Sequence, residues 1–212
     1  MITTTKRGNE IPTIDVSLIS IREKSELATT EYILDTANKL GVNVQTDTED
    51  AVKLVVKGRL VAQKPETVTI TGHTLVLTDN VFIPEVVKLL QGGTIKYWGE
   101  AAHSTKVNTD AGFGVASYAP PVAGSSDKGE ICEIRAYSAI YNAAGIVTGY
   151  ERITYPNCTG TPIALQSEDG VFRASEYTIY SAPDTGEAPY TIDYIGPNDL
   201  PTPTTVSAGS GT

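Results

Sequence analysis

Two cysteines, two histidines, three phenylalanines and one tryptophan are all that 212 residues hold of the side chains that usually build disulfide frameworks, metal centres and bulky aromatic cores. Cys132 and Cys158 are too few for a disulfide framework or a thiolate zinc site, and in a reducing compartment they are expected as half-buried free thiols. Both fall in segments read as neighbouring strands of one hairpin, so a bridge formed after release from the cell is the alternative state. His73 and His103 each lack a His or Cys at ligand spacing, which leaves no metal or cofactor to expect. Basic side chains number 16 against 25 acidic, and a net charge of −9 disfavours a gripped nucleic acid or an anionic lipid surface. No apolar run approaches the length of a membrane span, and Met1–Thr5 leads into Lys6 and Arg7 rather than an apolar leader core. The expectation is a soluble chain made in the cytosol, with no membrane partner.

Motifs for catalysis are equally thin. Neither Gly124-Ser125-Ser126 nor Gly209-Ser210-Gly211 supplies the Gly-x-Ser-x-Gly of a nucleophile elbow. Gly112-Phe113-Gly114 lacks the third glycine and the following helix of a dinucleotide loop, and reads as a close-packed strand position. The acidic run Asp47-Thr48-Glu49-Asp50 has neither the sixth-position glycine nor the twelfth-position Glu of a calcium loop, and reads as solvated. Asn157-Cys158-Thr159 fits a glycosylation sequon, which has no consequence without a secretory signal. No catalytic residue is assigned, and weight shifts to binding or structural roles.

What the chain does have is Thr, Val, Ile and Tyr in strand-like alternation. Glu10–Ile21 reads as a strand with an irregularity near Leu18, and Ser25–Leu40 leans to strand over helix. Gly41–Asp50 is polar and acidic, an exposed loop or the tip of an extended hairpin. Val52–Val61 and Thr67–Leu77 read as a half-buried strand pair, joined by the turn Lys64-Pro65-Glu66. A short helix over residues 83–91 follows, with Asp79 or Asn80 as its cap, Pro84 and Glu85 in its first turn, Val86, Val87, Leu89 and Leu90 as its apolar stripe, and Gly92-Gly93 as its stop.

Thr94–Trp98 reads as a strand, Gly99–Asp110 as a polar connection, and Ser117–Gly129 as a mobile loop or long hairpin turn. Ile131–Tyr141 and Ile146–Tyr155 flank the turn Asn142-Ala143-Ala144-Gly145, and Val171–Tyr180 and Ala188–Ile195 complete the strand pattern. No internal repeat is present. The fold class expected is a mainly β, sandwich or barrel-like domain over residues 1–196 with one packed helix, followed by a frayed tail over 197–212.

The run Lys57-Gly58-Arg59-Leu60-Val61-Ala62-Gln63-Lys64-Pro65-Glu66, then Ile70-Thr71-Gly72-His73, then Leu75–Asp79, Asn80, Val81-Phe82-Ile83-Pro84-Glu85 and on to Gly92-Gly93 resembles tail tube proteins of tailed phages and related particles of Gram-positive hosts. Ser175–Pro183 and Tyr190–Ile195 are similar to the closing strands of such subunits. The resemblance covers a third to a half of the chain. It implies a β-sandwich flanked by a helix, six copies to a ring, and rings stacked into a hollow tube whose inner wall is a continuous barrel of strands. It implies as partners the chain itself and the tape-measure, tail-terminator and baseplate proteins of a virion tail assembled in the host cytoplasm, with DNA passing through without specific binding. Subunit contacts are expected at Val44, Thr46, Asp47, Glu49 and Asp50, in a loop bridging rings, and at Val81 and Phe82, with the helix packed outside the sheet. Another virion part, such as a head decoration, terminator or baseplate subunit, is the nearest alternative. A carbohydrate-binding module using the eleven tyrosines is the alternative of a different class.

Overall fold

A computed structural model describes residues 11–25, 30–97, 114–163, 169–170 and 174–202, and among these the fold is mainly β with a single short helix. In chain order the elements are β1 (Thr13–Glu23), β2 (Glu31–Leu34), β3 (Ala37–Glu49), β4 (Val52–Val56), β5 (Arg59–Lys64), β6 (Thr67–Asp79), α1 (Pro84–Gln91), β7 (Thr94–Tyr97), β8 (Val115–Ala119), β9 (Cys132–Tyr141), β10 (Val147–Gly160), β11 (Ser175–Ser181) and β12 (Thr191–Ile195).

The main sheet runs β2-β1-β9-β10-β11-β6-β3, and its pairings are antiparallel. Strand β10 is a branch point: one edge pairs with β9, while the other pairs with β12 over Tyr150–Thr154 and with β11 over Cys158–Gly160. Strands β2 and β3 stand at opposite ends of this order, yet only Asp35 and Thr36 separate them in the chain. A link that short reaches roughly 10 Å. The sheet therefore has to curl until its ends approach, and β3 does come alongside β1. This is the curled, barrel-like arrangement that the strand pattern predicts.

The corner between β2 and β3 is latched to the far end of β6. Thr36 Oγ1 donates to Asp79 Oδ1 at 2.5 Å, the Val81 amide donates to the same oxygen at 3.3 Å, and Asn80 Nδ2 donates to the Thr36 carbonyl at 3.2 Å. Asp79 and Asn80 thus have a different role from the helix cap predicted for them. The N-cap position is Ile83, which makes no side-chain cap bond, and Pro84 sits in the first turn where its missing amide costs nothing.

Val86, Val87, Leu89 and Leu90 bury the helix on a core that includes Ile19, Ile21, Leu75, Leu77, Ile134 and Ile179. At its C-terminus the orphan carbonyls are taken up one by one: Gly92 N donates to Lys88 O and Glu130 N to Leu89 O, each at 2.8 Å, and Tyr118 Oη donates to Gly92 O at 2.9 Å. Asp127 Oδ2 accepts from Gly93 N at 3.1 Å. The Ser117–Gly129 stretch is therefore not one loop. Ser117–Ala119 belongs to β8, and residues 127–130 form a strap across the helix end.

Three further expectations change. Gly41–Asp50 is no loop, because Ala37–Glu49 is a continuous strand paired with β6. Val52–Val61 and Thr67–Leu77 do not pair with each other: β4 pairs with β5 around Lys57-Gly58, and β6 pairs with β3. Lys57 and Gly58 both have positive φ, 49° and 78°, the geometry of a tight hairpin turn, and lysine at the first position hid it. Cys132 and Cys158 do face each other across β9 and β10, but fully buried, and both thiols are free. Burial pushes the Cys158 thiol up to about 12 and raises Cys132 as well, so neither is a nucleophile near neutral pH.

The irregularity near Leu18 is a register shift between Ile14 and Leu18, with Asp15 at φ 62°. Trp98, the 99–110 connection with His103, Gly112-Phe113, residues 171–173 and the tail from 203 lie outside the described residues.

A Cβ at Gly129 would run into the Leu90 carbonyl and backbone. Gly129→Ala is expected to cost about 1–3 kcal/mol through this overlap, read by denaturant unfolding. Gly145→Ala meets nothing within 4 Å and suffers only the strain of its φ of 75°.

Candidate assembly interface

Strand β6 serves two structures. From His73 to Asp79 it lies between β11 and β3, whereas from Thr67 to Gly72 its only described partner is β3. Beyond that point the two strands leave the body as a ribbon. Glu49 stands opposite Thr67, and three residues further out Val52 stands opposite Lys64, so β4 and β5 prolong the same ribbon to its tip at Lys57-Gly58. From Val44 to Val56 this arm rises about 40 Å at roughly 3.3 Å per residue.

The period-two alternation of a strand carries the core face outward along the inner arm. Val42 faces Leu75 and Val44 faces His73 where both partners are buried, and Thr46, Thr48, Ile70 and Val68 continue that face. Out on the arm the cover stops: Val44 is 55% exposed and Val68 58%. The reverse face carries Asn43, Gln45, Asp47 and Glu49. Towards the tip, Val52, Leu54, Val55, Val56, Leu60 and Val61 are all about half exposed or more.

A two-stranded ribbon in water is marginal by itself, and an exposed apolar strip with open edges is a template for another chain. The body offers further apolar surface. Ile192 and Tyr194 on β12 and Tyr180 on β11 are exposed.

Five of the residues singled out by sequence come together on the arm. Val44 and Thr46 lie on its apolar face, Asp47 and Glu49 on its polar face, and Asp50 at the break before β4, all exposed. Val81 and Phe82 lie beyond the other end of β6, with Val81 exposed and Phe82 packed against the core. The apolar residues of β4, β5 and early β6 were missed, because their β-branched runs read as half-buried. The signal that could have found them is their adjacency to a long polar stretch that buries nothing.

At the root of the arm His73 is buried, with Tyr155 and Tyr190 presenting ring edges at centroid distances of 5.4 Å. Its Nδ1 has no hydrogen-bond partner, and burial lowers its pKa below the ordinary imidazole value. Among the described residues no group of three or more His, Cys, Asp or Glu is placed to hold a metal ion.

No family model matches the chain, and no curated protein matches it by sequence. Among solved structures it is similar to a chain of the sheath–tube complex of an extracellular contractile injection system in its extended state, at 12% identity and TM-score 0.39, covering 86% of this chain and 91% of that one. It is similar to the tube-terminating cap of the anti-feeding prophage at 13% identity and TM-score 0.39, covering 91% and 97%. It is also similar to a chain of the anti-feeding prophage baseplate at 7% identity and TM-score 0.33, covering 92% and 98%. At these scores the likeness stands as a likeness, and functional weight falls on the arm.

The buried His73 resists charging in the fold but takes up a proton near pH 6.5 when the chain unfolds. Its contribution to stability is thus complete above that pH and is lost as pH falls through 6.5 towards the lowered native value. The melting temperature should drop between pH 7 and pH 5, and His73→Gln should flatten that part of the profile.

Proposed function

We propose that the chain is a structural subunit of a phage-tail-like particle, a tail tube protein whose copies close into rings of six and stack into a hollow tube that conducts DNA into a host cell. The observation that carries this reading is the arm: a ribbon of about 40 Å whose apolar face is continuous with the core face and stays exposed among the described residues. A surface of this kind is completed by another polypeptide. An arm that reaches away from its own body meets a different part of a neighbour, and such head-to-tail contacts build rings and open stacks rather than closed pairs.

Further features agree. A stack needs contacts at both ends of each subunit, and the expected contact residues lie on the arm and beyond the opposite end of β6. The net charge of −9 suits a wall along which DNA slides without sticking. The sequence resemblance around Lys57–Gly93 names the same class of subunit. Tape-measure, terminator and baseplate proteins are the partners such a tube takes, and the particle tail is its location.

Light scattering with negative-stain electron microscopy of the purified chain tests the reading. Rings or hollow tubes of uniform width are expected above a threshold concentration. A strictly monomeric species that is retained on a glycan column points instead to a carbohydrate-binding module. The double variant Val44→Asp, Val68→Asp should abolish tubes while lowering monomer stability by no more than about 2 kcal/mol, the strand preference lost at two positions outside the core.

A further inference from the structure

The root of the arm gathers several features into a few residues. Towards the arm, His73 is the last residue of β6 to pair with β11, opposite Ser181. Next to it, Gly72 runs so close to β11 that a Cβ there would overlap the Ser181 carbonyl oxygen. Gln45 pairs with Gly72 but Thr46 pairs with Ile70, which leaves Thr71 as the extra residue of a bulge. A bulge bends its strand and re-aims whatever follows, so the direction of the arm is decided between Thr71 and His73.

At this bend the His73 side chain reaches into the body. It is 1% exposed, between Tyr155 of β10 and Tyr190 just ahead of β12. The groups packed around it offer nothing to a positive charge. Burial pushes Tyr155 and Cys158, both on β10, up to about 12, so each stays neutral. The Ser181 hydroxyl of β11 is committed to the Pro156 carbonyl at 2.6 Å, and Val44, opposite on β3, is apolar. Of the charges flanking Tyr190 in the chain, Glu187 is paired with Lys24 at 3.8 Å and Asp193 with Arg152 at 2.9 Å. Charging an imidazole makes donors of both nitrogens, and Nδ1 has no partner to receive one.

We propose that His73 is an acid-operated latch for the arm: neutral, it seats between Tyr155 and Tyr190 and fixes the bend; protonated, it leaves that seat and the arm pivots at Thr71-Gly72. The direction follows from the two states. A seated ring is held neutral by its burial, whereas a released ring is solvated and takes up a proton near the ordinary imidazole value of about 6.5. Acid therefore favours release. Release costs the His73–Ser181 pairing to β11, while the β3–β6 ladder stays paired on both sides of the bulge, so the arm swings as a unit. The latch lies within one chain and works whatever the arm docks against.

Amide residual dipolar couplings of the full-length dispersed chain test it, because they report the orientation of the arm relative to the body. At pH 7.5 one alignment should fit residues 43–49 and 67–72 together with β9, β10 and α1. On titration to pH 5 the arm couplings should shrink reversibly by at least about half, in step with the His73 ring signals, while those of the body hold. His73→Leu and His73→Gln cannot charge, and either should keep the arm couplings at full size at both pH values. Arm couplings that are the same at both pH values in wild type would overturn the latch, as would the same shrinkage in the two neutral variants. Body couplings that collapse together with those of the arm would also overturn it, since acid would then be unfolding the whole domain.

Discussion

The antiparallel ladder between β3 and β6 is the feature on which the rest depends. Within the body it closes one end of the curled sheet, and its far end is fixed by Thr36 and Asp79, where the chain turns the corner from β2. Beyond His73 the same ladder continues without β11 beside it and becomes the arm. Backbone hydrogen bonds set the ribbon's direction and register, but they bury no apolar area. Thus β6 is half a core strand, with Leu75 and Leu77 fully buried, and half an exposed one, with Val68 and Ile70 in water. Ten Val, Leu and Ile side chains along residues 42–70 remain substantially exposed, and covering each is worth roughly 1 kcal/mol. That total is on the scale of the freedom lost on association, so the assembly proposed for the arm would be reversible rather than obligatory for folding.

The body ties α1 down by packing and hydrogen bonds. The helix has only eight residues and would not persist alone. It holds because four apolar side chains enter the core and because the 127–130 strap and Tyr118 take its terminal carbonyls and glycines. Gln91 completes the tie, accepting from the Ile163 amide at 2.9 Å and donating to Tyr118 Oη at 2.6 Å. Across β2, β1 and β9, Arg135 bridges Glu133 and Glu31 while Arg22 reaches Glu133, giving these three strands a cross-strand charge ladder.

Much of the fold was legible because its signals are local. Alternation marked most of the strands, Pro84 and Gly92-Gly93 bracketed the helix, and Asn142 with Gly145 marked the β9–β10 turn, whose Asn142 Oδ1 accepts from the amides of Ala144 and Ile146. What failed was non-local. Nothing in Asp79 says whether it caps the following helix or ties down a corner 43 residues earlier in the chain. A period of two says which side chains share a face but not whether anything lies against that face, so Val68 and Leu77 look alike in sequence and differ completely in exposure. Val44, Thr46, Asp47, Glu49 and Asp50, where contacts are expected, read in sequence as a loop or hairpin tip rather than a long paired strand, since an acidic polar stretch does not reveal its partner strand.

The central claim is that the arm is completed by another copy of the chain. Amide hydrogen exchange, measured on the dispersed chain and again after assembly, tests it most directly. The account predicts fast exchange over residues 43–72 in the dispersed chain, strong protection there after assembly, and little change at β9, β10 and α1. Assembled particles in which residues 43–72 still exchange as freely as in the dispersed chain would contradict it.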